Sequence, residues 1–195
     1  MLCVIGISGS PSAASRTERL TDYVLDLLAE RGVSVGHIRV REIPSDALLR
    51  ADSSDPGLAE AIATVAGAHG VIVATPIFKA SCSGLLKAFL DTLPQFAFAG
   101  KAVMPLATGG SLAHVLALDY SVRPILQSMA PRHIIQSYFV PESAMRIDND
   151  QVLFNSEGVD GLMPALSHFI YSLDNRPEAS ELGHPRPDHI RMRYR

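Results

Sequence analysis

The chain has 195 residues, 47% of them hydrophobic, which suits one compact unit able to bury roughly 70% of its unfolded surface. A net charge of −3, with basic residues scattered except at the very end, excludes nucleic acid as a main partner, and no run reaches the roughly 18 apolar residues of a bilayer span. Two cysteines, Cys3 and Cys82, offer neither a metal-ligand spacing nor a disulfide framework, and with no leader-like start the sequence reads as cytoplasmic.

Residues 2–7, "LCVIGI", read as a first strand, and residues 17–31 as a helix with Leu20, Tyr23, Val24, Leu27 and Leu28 at helical spacing and Gly32 as its stop. "VSVGHIRV" follows as a strand, then a turn-rich stretch from Pro44 to Pro56, then a short helix "GLAEAIATVAGA". Residues 71–75, "VIVAT", form a continuous apolar run of the kind a parallel strand shows when both faces are covered. The series continues with a helix over 83–93, a strand over 101–107, a helix over 112–129, a strand over 133–140 and a helix over 159–173. The stretch 141–157 is polar and broken, with "QVLF" as a candidate edge strand. Residues 1–175 are therefore expected to form a single domain, and 176–195 an extended or oligomer-contacting tail.

Strands alternating with helices predict an α/β doubly wound parallel sheet of five strands in the order 2-1-3-4-5, with helices on both faces. Such sheets bind ligands where the winding reverses, so loops 8–16, 76–83 and 108–111 are expected to meet.

The first of these loops lies in "ISGSPSAASRT". Ser8, Gly9, Ser10, Ser12, Ser15 and Thr17 put short hydroxyls and unencumbered amides at a helix N-terminus, which favours an anion. Each hydroxyl alone reads equally well as a helix cap; the group together points to a phosphate. Neither GxxxxGK[ST] nor GxGxxG is present, so a terminal phosphate fits better than a dinucleotide. In the second loop, "TPIFKASCSG", a Pro-Ile backbone beside Phe78 can border a flat conjugated ring, and in "TGGS" the paired glycines allow close backbone approach. Taken singly, Phe78 is a packed side chain and Gly109–Gly110 a turn. Converging, the three loops describe a phosphate, a planar ring and its polar edge, which is flavin mononucleotide.

The segments "GSPSAASRT", "VIVATPIFKASCSGLLKAFLD", "KAVMPLATGGSLAHVLALDY" and "RPIL" resemble the NAD(P)H-dependent FMN reductases of the flavodoxin-like superfamily, in the branch serving alkanesulfonate utilisation. The likeness runs from residue 2 to about 140. It implies that Ser8, Ser10, Ser15, Arg16 and Thr17 line the phosphate site. Pro76, Ile77, Phe78 and Lys79 would flank the isoalloxazine, and Thr108, Gly109, Gly110 and Ser111 would touch its pyrimidine side. Members usually carry tyrosine where Phe78 stands, so a hydroxyl contact is absent here. The implied cofactors are FMN and NADPH or NADH, and the implied partner is a flavin-dependent monooxygenase in sulfonate sulfur assimilation, with a homodimer or homotetramer as the assembly. No side chain is expected to act as acid or base, because the cofactor carries hydride chemistry. His114 reads as an ordinary helix-surface histidine and Cys82 as a small filler.

Pro124 sets up a conflict inside the 112–129 helix, since it cannot donate to the Tyr120 carbonyl and the helix must kink or bulge there. The resemblance favours a π-bulge, because related reductases carry an inserted tyrosine in this helix at a subunit interface. With Trp absent and Phe78 the one aromatic residue in the three loops, one face of the ring is expected to stay open to nicotinamide. The competing readings are a flavodoxin-type electron carrier and an NAD(P)H reductase of quinones or azo compounds with bound FMN.

Overall fold

The computed structural model describes residues 1–148 and 151–175, and the expected tail 176–195 lies outside the described residues. Five parallel strands open the architecture: β1 (Cys3–Ser8), β2 (Ser34–Arg39), β3 (Gly70–Pro76), β4 (Ala102–Gly109) and β5 (His133–Ile134), hydrogen-bonded in the order β2-β1-β3-β4-β5. A further strand, β6 (Tyr138–Pro141), also pairs with β4 in parallel. The flavodoxin-like doubly wound sheet expected from the alternation of strands and helices is therefore present. The central strands justify it residue by residue. Val71 and Val73 of β3 enter the apolar layer on one face while Ile72 and Ala74 enter the layer on the other, and β4 alternates in the same way. Such a run is stable only where helices cover both sides of the sheet.

Helices α1 (Arg16–Ala29) and α6 (Ser156–Asp174) cover one face through Leu20, Val24, Leu28, Leu162, Leu166 and Phe169. Helices α2 (Ser45–Arg50), α3 (Pro56–Gly67), α4 (Gly84–Thr92) and α5 (Arg123–Ser128) cover the other, with Leu48, Leu58, Val65, Leu86, Phe89 and Leu126. Phe89, Phe98 and Phe169 are fully enclosed, each stabilising the fold by about 1.5–3 kcal/mol. Local signals set the helix ends. Ser15, Asp55 and Ser83 accept from the amides of Glu18, Leu58 and Leu86, and Gly32 takes the left-handed conformation that stops the chain after α1. The buried Lys101 ammonium donates to the carbonyls of Ala66 and Ala68 at 3.0 and 2.8 Å, closing the end of α3, while burial pushes its pKa down.

Four expectations need correction. The strand over 133–140 is broken into β5 and β6, because the Arg123 guanidinium reaches between them to the carbonyls of Ile134 and Ile135 and to Ser137 Oγ, competing for the groups that would continue the strand. The turn-rich stretch from Pro44 contains α2, which forms because Ala47 and Leu48 have a core to enter. "QVLF" is no edge strand of the main sheet: β8 (Gln151–Phe154) pairs antiparallel with β7 (Met145–Asp148) as a separate hairpin, and the Phe154 ring packs at a tilt against Tyr23 of α1 with ring centres 4.9 Å apart. The helix over 112–129 is three pieces: a 3₁₀ turn at Leu112–His114, a π-turn at Leu118–Val122, and α5. The π-turn closes by an Arg123 amide bonded to the Leu118 carbonyl, five residues back, so Pro124 enters where its missing donor is tolerated.

Candidate functional site

The register places the carboxyl ends of the three central strands side by side, with Ser8 opposite Ala74 and Pro76 opposite Thr108. The loops leaving them are tied to one another by side chains. Thr17 and Thr108, both buried, share a hydroxyl pair of 2.6 Å that joins the start of α1 to the end of β4. Ser83 does three things at once: its hydroxyl caps α4, donates to the Gly9 carbonyl, and its amide donates to Thr75 Oγ1 at 3.0 Å. The Ile77 amide donates to the Thr108 carbonyl at 3.1 Å. Loops 8–16, 76–83 and 108–111 are thus one bonded rim.

Within the first loop Ser10 is buried and its hydroxyl accepts from the Ser12 amide, while Ser15 caps α1. Arg16 is half-exposed and pairs with Glu142 at 3.2 Å. Ser8 is buried, and its hydroxyl lies 2.8 Å from His37 Nε2, whose Nδ1 is 2.7 Å from Asp22 Oδ1. The ring thus bridges the Asp22 carboxylate and the Ser8 hydroxyl, and the root of the loop is fixed through that hydroxyl. Burial pushes the Asp22 carboxyl up, but the hydrogen bond and charge of His37, together with Arg39 at 3.0 Å, outweigh it and hold its pKa below the ordinary value. Arg39 also holds the buried Glu18 at 2.9 Å, and Arg41 reaches the same oxygen at 3.1 Å.

In the second loop Pro76 is half-buried, the Ile77 side chain belongs to the core, and Phe78 and Lys79 face solvent. In the third, Thr108 and Gly109 are buried, whereas Gly110 and Ser111 are exposed. A Cβ on Gly109 would stand 3.1 Å from the Phe139 ring, so the chain passes that ring closely. One on Gly110 would meet nothing within 4 Å, leaving room beside the backbone. His114, half-buried rather than a plain surface residue, holds its Nδ1 out of solvent with no partner among the described residues, 3.5 Å from where a Gly109 Cβ would be. Hydroxyls and an arginine at a helix N-terminus, space at Gly110 and an unmet buried nitrogen beside the third loop suit a phosphorylated planar ligand such as FMN. His37 with Asp22 and the links made by Ser83 were not legible as site features, and His114 was legible only by its place just beyond the third loop. Ser83 carries a signal only as a helix cap before an apolar run.

A parallel sheet in this order, with a hydroxyl-rich loop, a Pro-Ile-Phe loop and a glycine pair gathered on one rim, defines a flavodoxin-like oxidoreductase. The chain is 48% identical to an NADH:FMN oxidoreductase (EMOB) solved in its apo form, with a TM-score of 0.86 over 96% of this chain and 98% of that one. It is 43% identical over 142 residues to an FMN reductase (NADPH) of Pseudomonas putida, 73% of this chain and 72% of that protein. It is 36% identical over 173 residues to an FMN reductase (NADPH) of Escherichia coli, 89% of this chain and 91% of that protein. The family model described as NADPH-dependent FMN reductase matches residues 2–145, and the chain belongs to that family.

Proposed function

We propose that this protein is an NAD(P)H-dependent FMN reductase that hands reduced flavin to a flavin-dependent monooxygenase, in the assimilation of sulfur from sulfonates. The observation that carries the reading is the bonded rim: Thr17 with Thr108 and Ser83 with Gly9 hold three loops of complementary chemistry at the winding reversal. When bound, FMN supplies the hydride acceptor. Everything else falls to binding and orientation. Ser10, Ser15 and Thr17 with the first turn of α1 hold the phosphate, Arg16 exchanging Glu142 for it, while Ser8 anchors the loop through His37. Pro76 to Lys79 would border the ring and Thr108 to Ser111 would line the neighbouring side of its site. No aromatic side chain stands opposite Phe78 in these loops, so the second face admits nicotinamide, and flavin exchanges as a substrate does.

A subunit contact belongs to the same reading. Leu112, Leu116 and Tyr120 are 63%, 60% and 80% exposed around the π-turn, and a second copy covering them gives the homodimer or homotetramer the sequence leads one to expect. The deciding experiment is steady-state oxidation of NADPH and NADH with FMN, FAD and riboflavin as acceptors. FMN is expected to give a KM well below that of riboflavin, because the phosphate loop recognises the monoester. Equal KM values for the two would remove the loop's assigned role, and no oxidation of either nucleotide would remove the reading itself.

A further inference from the structure

The exposed tip of the second loop is a tight turn. The Phe78 amide donates to the Ser81 carbonyl at 2.9 Å and the Ser81 amide returns to the Phe78 carbonyl at 3.1 Å, with Lys79 and Ala80 between them at φ 51° and 59°. Both central residues lie in the left-handed region, which this kind of turn requires and which asparagine or glycine normally supplies. Neither is present. A turn built from lysine and alanine in this conformation persists only when its surroundings hold it.

One such hold reaches it from far along the chain. Ser81 Oγ lies 2.6 Å from Ser121 Oγ, forty residues on and inside the π-turn. The two ends of this bond differ in firmness. Ser121 lies between the exposed Tyr120 and the buried Val122, three residues after the buried Leu118, and Arg123 beyond it is fastened to the carbonyls of Ile134 and Ile135. The 78–81 turn is exposed at Phe78, Lys79 and Ala80. The bond therefore ties the exposed tip of the turn to a segment anchored by Val122 and Arg123. The π-turn also decides that the bond can form, because a helix rotates by about 100° per residue and removing the extra residue would swing position 121 away from Ser81.

We propose that Ser121 is a positioning residue for the flavin-ring loop: from the π-turn its hydroxyl clasps Ser81 and sets the turn that presents Phe78. The role in flavin binding rests on the reading given above; the clasp itself does not. Its test compares Ser121→Ala, Ser81→Ala, the double variant and Ser121→Thr in the full chain. Amide hydrogen exchange of segment 76–83 in flavin-free protein is measured beside Kd for FMN and for riboflavin. Loss of one hydrogen bond corresponds to a change of about 3- to 10-fold. Exchange in Ser121→Ala is expected to quicken by about that factor, with FMN and riboflavin weakened equally because the phosphate loop is untouched. KM for FMN is expected to rise more than KM for the reduced nicotinamide. Threonine at 121 is expected to restore both readouts, and the double variant to match either single one. Unchanged exchange, additive single effects, or faster exchange with unaltered flavin affinity would each overturn the proposal. A wild-type protein that binds no flavin would overturn the reading of function instead, while the exchange difference still decides whether Ser121 holds the turn.

Discussion

Gly9 and Gly110 stand on neighbouring loops and are glycines for opposite reasons. A Cβ at Gly9 would lie 2.3 Å from Leu86 Cβ and 3.1 Å from Ser83 Oγ, so this glycine lets α4 close against the first loop. Gly9→Ala is expected to cost about 1–3 kcal/mol as α4 is pushed away, seen as a lower urea midpoint. At Gly110 a Cβ meets open space, so Gly110→Ala should leave the unfolding free energy from the same urea titration within about 0.5 kcal/mol of wild type. If the flavin edge occupies that space, the same substitution weakens FMN several-fold in a fluorescence titration; an unaltered Kd would remove the third loop from the site. The hydroxyls of the first loop were legible at this scale because their type and their place after a strand are local facts. What they bond to was not: Ser8 meets His37 from β2, Thr17 meets Thr108 from β4, and Arg16 meets Glu142. Those partners are set by which strands lie side by side, and no short-range pattern carries that.

Among the elements, strands and helices with a continuous apolar run or a clean 3.6-residue stripe were readable, because β3, β4 and α1 each bury what their pattern shows. Elements depending on a distant group were not. The break between β5 and β6 needs Arg123, and the β7–β8 hairpin needs α1 to pack on. The π-turn is the intermediate case. Pro124 announces a defect in the helix and the family resemblance favours a π-bulge, and the Arg123 to Leu118 bond shows that the chain does widen one turn instead of kinking. That turn carries Tyr120 at the surface beside Ser121, whose hydroxyl reaches the second loop. If a second copy of the chain covers Tyr120, as proposed above, its ring would lie between that contact and the second loop. Tyr120→Ala is expected to weaken assembly in sedimentation velocity and to change the rate at which reduced flavin leaves in stopped flow. Unchanged assembly, flavin affinity and turnover together would detach the π-turn from the reaction.

For the molecule as a whole, the ionic network behind the first loop ties stability to pH. Asp22 and Glu18 on α1 face His37 and Arg39 on β2 and Arg41 just beyond it, so α1 is fastened to the sheet edge by charge as well as by Leu20 and Val24. Asp22 has a carboxyl pKa below its unfolded value, held down by His37 and Arg39 against the upward push of burial. Between those two values the unfolded chain binds the extra proton, so stability rises with pH there. The contribution is complete above the unfolded pKa of about 3.9 and disappears as pH falls through the lower folded value. Asp22→Asn keeps the shape but not the charge, and is expected to unfold at lower urea than wild type at pH 7 and at pH 5. The gap should begin to narrow as pH drops below about 4, where the unfolded carboxyl takes up its proton, and close as pH falls through the lower folded value. Urea titrations at pH 7, 5 and 3.5 check this. A gap of constant size would mean that the asparagine disturbs packing around His37, and that the charge on Asp22 does not hold α1 to β2.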